Sequence, residues 1–187
     1  MAAPIDTAPD LPLDRTIVLI GMMGAGKSAV GKRLAKVLGW PFEDADAAIE
    51  AAAGATIADI FAEIGEAAFR DKERRVIARL LGGQKQVLAL GGGAFLDPET
   101  RRLVRVRALS VWLRADLEAL LRRTGRRGER PLLAHGDPRA TLEKLLEQRG
   151  PLYAEADIVV DSGKGPLNVV VARVLDALAR HRGGAGP

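Results

Sequence analysis

The sequence contains no cysteine and only two histidines, His135 and His181. A disulfide framework, a Cys-ligated zinc or iron–sulfur centre and thiol catalysis are therefore excluded, and a His-rich metal site cannot be built. Aromatic residues make up 4% of the chain and are dispersed: Trp40, Trp112, Tyr153, Phe42, Phe61, Phe69 and Phe95. That leaves no basic–aromatic platform on which single-stranded nucleic acid could stack. Long apolar runs are missing too. The longest apolar-plus-glycine stretch, Ile17 to Gly26, is about half of the roughly 20 residues a membrane span needs. Residues 1–14 hold three Asp, no Lys or Arg and no apolar core segment. No secretory signal is expected, and the cytoplasm is the default location.

What is present describes a soluble globular chain. Its 187 residues are 48% hydrophobic and 28% charged, enough for one domain with a real core. The net charge of +4 and a pI near 9.8 suit anionic partners, whether nucleic acid, an anionic membrane surface or small anionic substrates. Much of the basic excess is arginine between Arg101 and Arg130, a side chain suited to gripping carboxylates and phosphates with two hydrogen bonds.

Apolar β-branched runs alternate with helical patterns, which favours βαβ units around a parallel sheet. Strands are expected at Thr16–Ile20, Pro41–Asp44, Gln86–Leu90, Leu109–Leu113 and Asp157–Val160. Helices are expected at Lys27–Leu38, closed by Gly39, and at about Glu66–Leu81, stopped by Gly82-Gly83. Others are expected at Asp116–Arg123, Pro138–Arg149 and Asn168–Arg180. Thr56 can cap a further helix, with Asp59 at the capping-box position. Residues 1–14 and the glycine-rich 183–187 read as tails around one domain over 15–180.

The segment Gly21-Met22-Met23-Gly24-Ala25-Gly26-Lys27-Ser28 fits G-x-x-x-x-G-K-[ST], and it lies between an apolar strand and a helix, as a phosphate loop requires. The glycines let backbone N–H groups around Gly24, Ala25, Gly26 and Ala29 point inward at α- and β-phosphates. The helix N-terminus adds the positive end of a dipole. Lys27 is expected on the β- and γ-phosphates and Ser28 on Mg²⁺.

Asp44 and Asp46 follow one βα unit later, at the carboxyl end of a strand, where open α/β sheets bind ligands. Such a pair can hold a metal with one carboxylate and orient an acceptor hydroxyl with the other. The same residues also fit a solvated turn with Asp46 as a helix cap. Gly91-Gly92-Gly93 gives a ligand room to touch backbone, or makes a tight turn. Arg70 has Glu66 and Glu73 one turn away on either side, the spacing of an ordinary surface pair, though its place after Gly65 also allows anion binding. Residues 122–130 contain five Arg and two Gly. They read either as a nucleic-acid patch or, beside a phosphate loop, as a mobile lid closing over ATP.

Taken in order, these segments resemble the shikimate kinase family, in the nucleoside monophosphate kinase-like branch of phosphate-loop proteins. The likeness covers about residues 15–175. It rests on Gly21–Ser28; Phe42-x-Asp44-x-Asp46-x-x-Ile49-Glu50; Gly54-x-Thr56-Ile57-x-Asp59-Ile60-Phe61; Gly65-Glu66-x-x-Phe69-Arg70-x-x-Glu73; Gly91-Gly92-Gly93-Ala94; Arg130-Pro131-Leu132-Leu133; and Arg149-x-Pro151-Leu152-Tyr153. The resemblance implies a three-layer α/β/α sandwich on a parallel five-stranded sheet, the P-loop kinase fold, with a mobile lid at about 122–136. It implies transfer of the ATP γ-phosphoryl group to the 3-hydroxyl of shikimate, with one Mg²⁺ ion. Carried over by motif, Asp46 resembles the residue that binds the shikimate hydroxyls and acts as base, and Asp44 the one that holds the metal. Arg70 and Arg149 resemble the pair on the substrate carboxylate, supported by Glu73, with Gly92 and Gly93 touching substrate. Arg130 resembles the lid arginine on the phosphates, and Arg123 and Pro166 lie toward the adenine.

A kinase for another small hydroxy acid, such as gluconate, would share the loop and the lid. A nucleotide-dependent nucleic-acid module would use the arginine segment and bind with a steep salt dependence. The expected partners are ATP and shikimate alone, on a monomeric chain with no nucleic acid and no membrane.

Overall fold

The computed structural model describes residues 13–125 and 137–183. In chain order the elements are β1 (Thr16–Ile20), α1 (Lys27–Leu38), β2 (Phe42–Asp44), α2 (Ala45–Ala53), α3 (Ile57–Leu81), β3 (Val87–Ala89), a 3₁₀ turn (Ala94–Leu96), α4 (Pro98–Arg107), β4 (Ala108–Arg114), α5 (Leu117–Thr124), α6 (Pro138–Tyr153), β5 (Ile158–Asp161) and α7 (Leu167–Gly183).

The five strands form one parallel sheet in the order β2-β3-β1-β4-β5. β1 lies at its centre with all five residues buried. A strand covered on both faces cannot alternate, which is why Thr-Ile-Val-Leu-Ile reads as one apolar run. The crossover from β1 to β2 runs one way across the sheet, while those from β2 to β3, β3 to β4 and β4 to β5 run the other way. Because such crossovers are right-handed, α1 covers one face and the helices of the other three crossovers cover the opposite one. α7 returns to the first face and packs beside α1. These are the three layers the resemblance implied.

The same topology decides where a ligand binds. The connections leaving β1 and β3 depart toward opposite faces, so a crevice opens beyond the carboxyl ends of these neighbouring strands. Leu19, Ala89 and Asp44 lie in register across β1, β3 and β2. The phosphate loop, the triglycine turn and the Asp44–Asp46 segment therefore leave the sheet side by side.

One helix, α4, was not expected, and α2 was expected only as the helix that Asp46 would cap. Asp97 accepts the Thr100 N–H at 2.8 Å, and Pro98 stands at the first helical position of α4. That Asp-Pro start signal was legible in the sequence. The helices expected on either side of Gly65 form one 25-residue element, with Gly65 at φ 75° and ψ 171° inside it. That conformation is open to glycine and costly for other residues, so α3 bends there. The expected capping box is present, with Thr56 and Asp59 satisfying each other's backbone.

Around the bend, α2 and α3 build a small core of their own from Ile49, Ile60 and Phe69. α6 runs on through Pro151 to Tyr153, four residues beyond its expected end. Its last turn therefore carries Arg149 and Tyr153 on one face.

Candidate active site

Three glycines shape the loop between β1 and α1. Gly21, Gly24 and Gly26 hold φ of 136°, 80° and 95°, outside the range of most side chains. α2, α3, α4, α5 and α6 each begin with an Asp or Thr side chain accepting a first-turn N–H. α1 begins at Gly26 with no side-chain cap and no acidic residue in its first turn. Its N-terminal N–H groups and dipole thus face the crevice, the arrangement that binds phosphate. Lys27 Nζ lies across the loop, donating to the Gly21 carbonyl at 2.9 Å and the Met22 carbonyl at 3.1 Å.

Asp44 and Asp46 face different neighbours. The Ser28 hydroxyl donates to Asp44 Oδ2 at 2.6 Å, and Asp44 Oδ1 accepts the Asp46 N–H at 3.1 Å. The helix cap is therefore Asp44, which corrects the reading of Asp46 as a cap. Asp46, in the first turn of α2, turns toward the triglycine segment.

That segment is where the site comes together. A Cβ on Gly91 would overlap Asp46 Oδ1 and come within 3.4 Å of Glu73 Oε1. On Gly92 it would stand 3.3 Å from Arg149 Nη1, and on Gly93 2.8 Å from both Nη atoms of Arg70. Three absent side chains give three charged groups, from α2, α3 and α6, access to one turn. Arg149 donates to the Gly92 carbonyl at 3.0 Å, and the Tyr153 hydroxyl donates to the same oxygen.

Arg70 donates to Glu73 at 2.7 Å and to Glu66 at 3.3 Å. Its guanidinium carbon lies 5.3 Å from the Phe69 ring centroid and 5.9 Å from that of Phe61. The two rings stack at 4.3 Å across the Gly65 bend. The acidic partners outweigh the effect of burial on Arg70, so the guanidinium is held charged. Glu73 is 3% exposed. Burial pushes its carboxyl above the ordinary range, Arg70 pulls it back only in part, and the negative charges of Asp46 and Asp97 add to the rise. Burial likewise raises the Tyr153 hydroxyl, against the pull of Arg149, so it stays a neutral donor.

An open cleft of about 400 Å³ joins these parts. Residues 23–30, Asp44, Asp46, Leu90 and Gly92 line it, together with Arg123, Ser162, Gly165, Leu167 and Val170. Arg123 donates to the Gly24 carbonyl at 3.3 Å and the Ser162 carbonyl at 2.7 Å, tying the phosphate loop to the loop before α7. Pro166 is not in the wall, but its neighbours Gly165 and Leu167 are. Arg70, Glu73, Gly93 and Arg149 lie outside that lining and meet it through the triglycine turn. Arg130 and most of the 122–136 lid segment fall outside the described residues.

Ser162, Gly165, Leu167 and Val170 carry no chemical signature, so no sequence signal singled them out. Among the described residues, no group of three or more His, Asp or Glu is gathered to hold a metal by itself. The neighbouring hydroxyl and carboxylate of Ser28 and Asp44 are hard oxygen donors of the kind Mg²⁺ takes when phosphates complete its shell.

The family model "Shikimate kinase" matches residues 23–179. A shikimate kinase of Paramagnetospirillum magneticum is 58% identical over 169 residues, 90% of this chain and 87% of the relative. A solved shikimate kinase from Acinetobacter baumannii, in complex with shikimate, superposes with a TM-score of 0.86 at 38% identity, covering 90% of this chain and 94% of the other. A gluconokinase from Sinorhizobium meliloti superposes with a TM-score of 0.57 at 24% identity, over 89% of this chain and 92% of the other. That last likeness is one of fold alone.

Proposed function

The chain belongs to the shikimate kinase family, and from that premise we propose how its residues carry the γ-phosphoryl group of ATP to the 3-hydroxyl of shikimate. The observation that supports the reading best is the convergence on Gly91–Gly93. One carboxylate and two arginines, from three helices, approach a turn that also borders the phosphate loop. An acceptor with a carboxylate at one end and hydroxyls at the other needs that distribution of charge.

Arg70 and Arg149 grip the substrate carboxylate. Glu73 holds Arg70 in place and offsets its charge while the site is empty. Asp46 accepts a hydrogen bond from the 3-hydroxyl and aims its oxygen at the γ-phosphorus, next to the loop. As the new oxygen–phosphorus bond forms, the bond from the γ-phosphorus to the β–γ bridging oxygen breaks, and ADP leaves. Asp46 takes the hydroxyl proton.

Lys27, the open N-terminus of α1, and Arg130 in the lid neutralise charge on the phosphoryl oxygens. Gly24, Ala25, Gly26, Ser28 and Ala29 cradle the phosphates, and Arg123 and Pro166 flank the adenine end. Mg²⁺, when bound, supplies charge neutralisation on the β- and γ-phosphate oxygens. Ser28 and Asp44 are the residues that would hold it. Catalysis is positioning and electrostatics, with no covalent protein intermediate.

The described residues build a single sheet, in keeping with one catalytic domain over 15–180. No helix among them is long and apolar enough to cross a membrane. Their exposed large hydrophobic side chains, Val106, Val159 and Leu167, are on three different elements, which supports a monomer. A coupled ATP-consumption assay over a panel of hydroxy acids tests the reading. Turnover is expected with shikimate and not with gluconate, and to require Mg²⁺. Turnover with gluconate would overturn shikimate as the acceptor, and equal affinity for a shikimate analogue lacking the carboxylate would overturn the two-arginine clamp.

A further inference from the structure

Arg149 has two demands on it. It is 8% exposed and spends one N–H on the Gly92 carbonyl, and the substrate carboxylate is to draw on the same guanidinium. A partly buried carbonyl that loses its donor costs the full desolvation of that group. If Arg149 were the sole donor to Gly92, substrate and protein backbone would compete for it. The structure supplies a second donor on the same oxygen, the hydroxyl of Tyr153, one turn along α6 from Arg149. The Tyr153 ring is 1% exposed and packs beside Trp112 with centroids 5.9 Å apart, so the hydroxyl has a fixed position. Gly92 in turn borders the phosphate loop, its Cβ position lying 3.7 Å from the Met23 nitrogen.

We propose that Tyr153 is a positioning residue that holds the Gly92 carbonyl in place of Arg149, so that Arg149 is released to the substrate carboxylate without leaving the turn unsatisfied. The proposal rests on the reading of Arg149 as a carboxylate ligand. It adds a residue that touches no substrate, yet sets how much of the arginine's bonding the substrate receives. It also explains why a helix that could have ended at Arg149 continues through Pro151 to Tyr153.

The test uses the full chain. Tyr153→Phe keeps the ring and removes the hydroxyl, making Arg149 the only side-chain donor to Gly92 among the described residues. Titration calorimetry should show shikimate binding weakened about three- to tenfold, the size of one ordinary hydrogen bond, with ATP affinity within about twofold of wild type. In an Arg149→Ala background the same change should alter shikimate affinity by less than about twofold, because no competition is left.

A second measurement avoids substitution. Tyr153 is the chain's sole tyrosine, so biosynthetic 3-fluorotyrosine gives a single ¹⁹F resonance. Shikimate alone should shift that resonance in the wild-type background and move it far less with Arg149→Ala; ATP alone should leave it in place. Shikimate affinity unchanged in Tyr153→Phe, an equal loss in both backgrounds, or a fluorine signal blind to shikimate would overturn the proposal while leaving the clamp intact. Unchanged shikimate affinity in Arg149→Ala alone would overturn the clamp, and this proposal with it.

Discussion

Gly93→Ala isolates the geometry of the carboxylate clamp from the stability of the fold. Gly93 has φ −99° and ψ −19°, a backbone shape that alanine adopts freely, and alanine at such a position restricts the unfolded chain by about 0.4–1 kcal/mol. The new methyl carbon, however, would stand 2.8 Å from both Nη atoms of Arg70 and 3.1 Å from its central carbon. An ordinary carbon–nitrogen contact needs about 3.4 Å or more, so the guanidinium must retreat by roughly 0.6 Å.

The retreat costs the fold little. The group is the far end of a flexible, 30% exposed side chain that stays beside Glu66 and Glu73 after so small a shift, so the fold loses on the order of 1 kcal/mol, about one ordinary hydrogen bond. The gain in chain entropy offsets much of that. For the substrate the same movement is large. It carries a charged hydrogen bond of about 2.8 Å to about 3.4 Å, where most of its strength is gone. One charge-assisted bond is worth about 1.5–3 kcal/mol, or roughly a 10- to 150-fold loss of shikimate affinity.

Calorimetric titration with shikimate and with ATP, alongside thermal unfolding, reads all three quantities. The expected pattern is a melting temperature within a few degrees of wild type, unchanged ATP affinity and the stated loss for shikimate. In an Arg70→Ala background, Gly93→Ala should cause no further loss. Shikimate affinity within twofold of wild type would refute the placement of Arg70 against this turn.

Asp46→Asn should abolish most shikimate-dependent turnover and spare ATP affinity, and Gly91→Ala, whose methyl would overlap Asp46 Oδ1, should mimic it; Asp44→Asn should instead raise the Mg²⁺ concentration needed for half-maximal rate. Identical metal and shikimate profiles for the two Asp variants would count against their separate roles. Burial holds the Glu73 carboxyl above its unfolded value, so its neutral form is the one the fold favours. That contribution is present below about pH 4 and lost as pH rises through the raised value. Glu73→Gln, always neutral, should therefore gain stability relative to wild type as pH rises above about 4 while weakening shikimate binding; a stability difference flat with pH would argue against it. Lys27→Ala should remove most turnover with little change in melting temperature, since the side chain spans a loop rather than the core. For Arg130→Ala, resting on the sequence resemblance, steady-state kinetics should show turnover falling more than shikimate affinity.

Local chemistry by itself determined much of this protein. β1 and α1 fall on the residues the pattern marked, because a buried parallel strand, a glycine-rich turn and an amphipathic helix closed by a glycine each leave a short-range signature. The capping box of Thr56 and the break at Gly65 were legible for the same reason. Asp46, Arg70 and Arg149 were singled out through the ordered motifs of the resemblance, and their approach to Gly91–Gly93 supports that reading.

Only the folded chain decided what those residues do to one another. Asp44 and Asp46 are both acidic and two positions apart, and nothing local says which one caps α2 and faces Ser28. That follows from β2 lying in register with β3. The three glycines of 91–93 read equally well as a tight turn. Their purpose appears when α2, α3 and α6 each bring a charged group where a Cβ would otherwise stand. Tyr153 lies beyond the helix end expected at Arg149, and its hydroxyl finds Gly92 because α6 runs on to it and packs against the 3₁₀ turn that follows Gly93. Sequence records the preferences of neighbours along the chain, whereas the site is made of contacts between segments far apart in it. Those contacts exist once a twisted sheet, with its fixed crossover hand, has chosen which strand ends stand together.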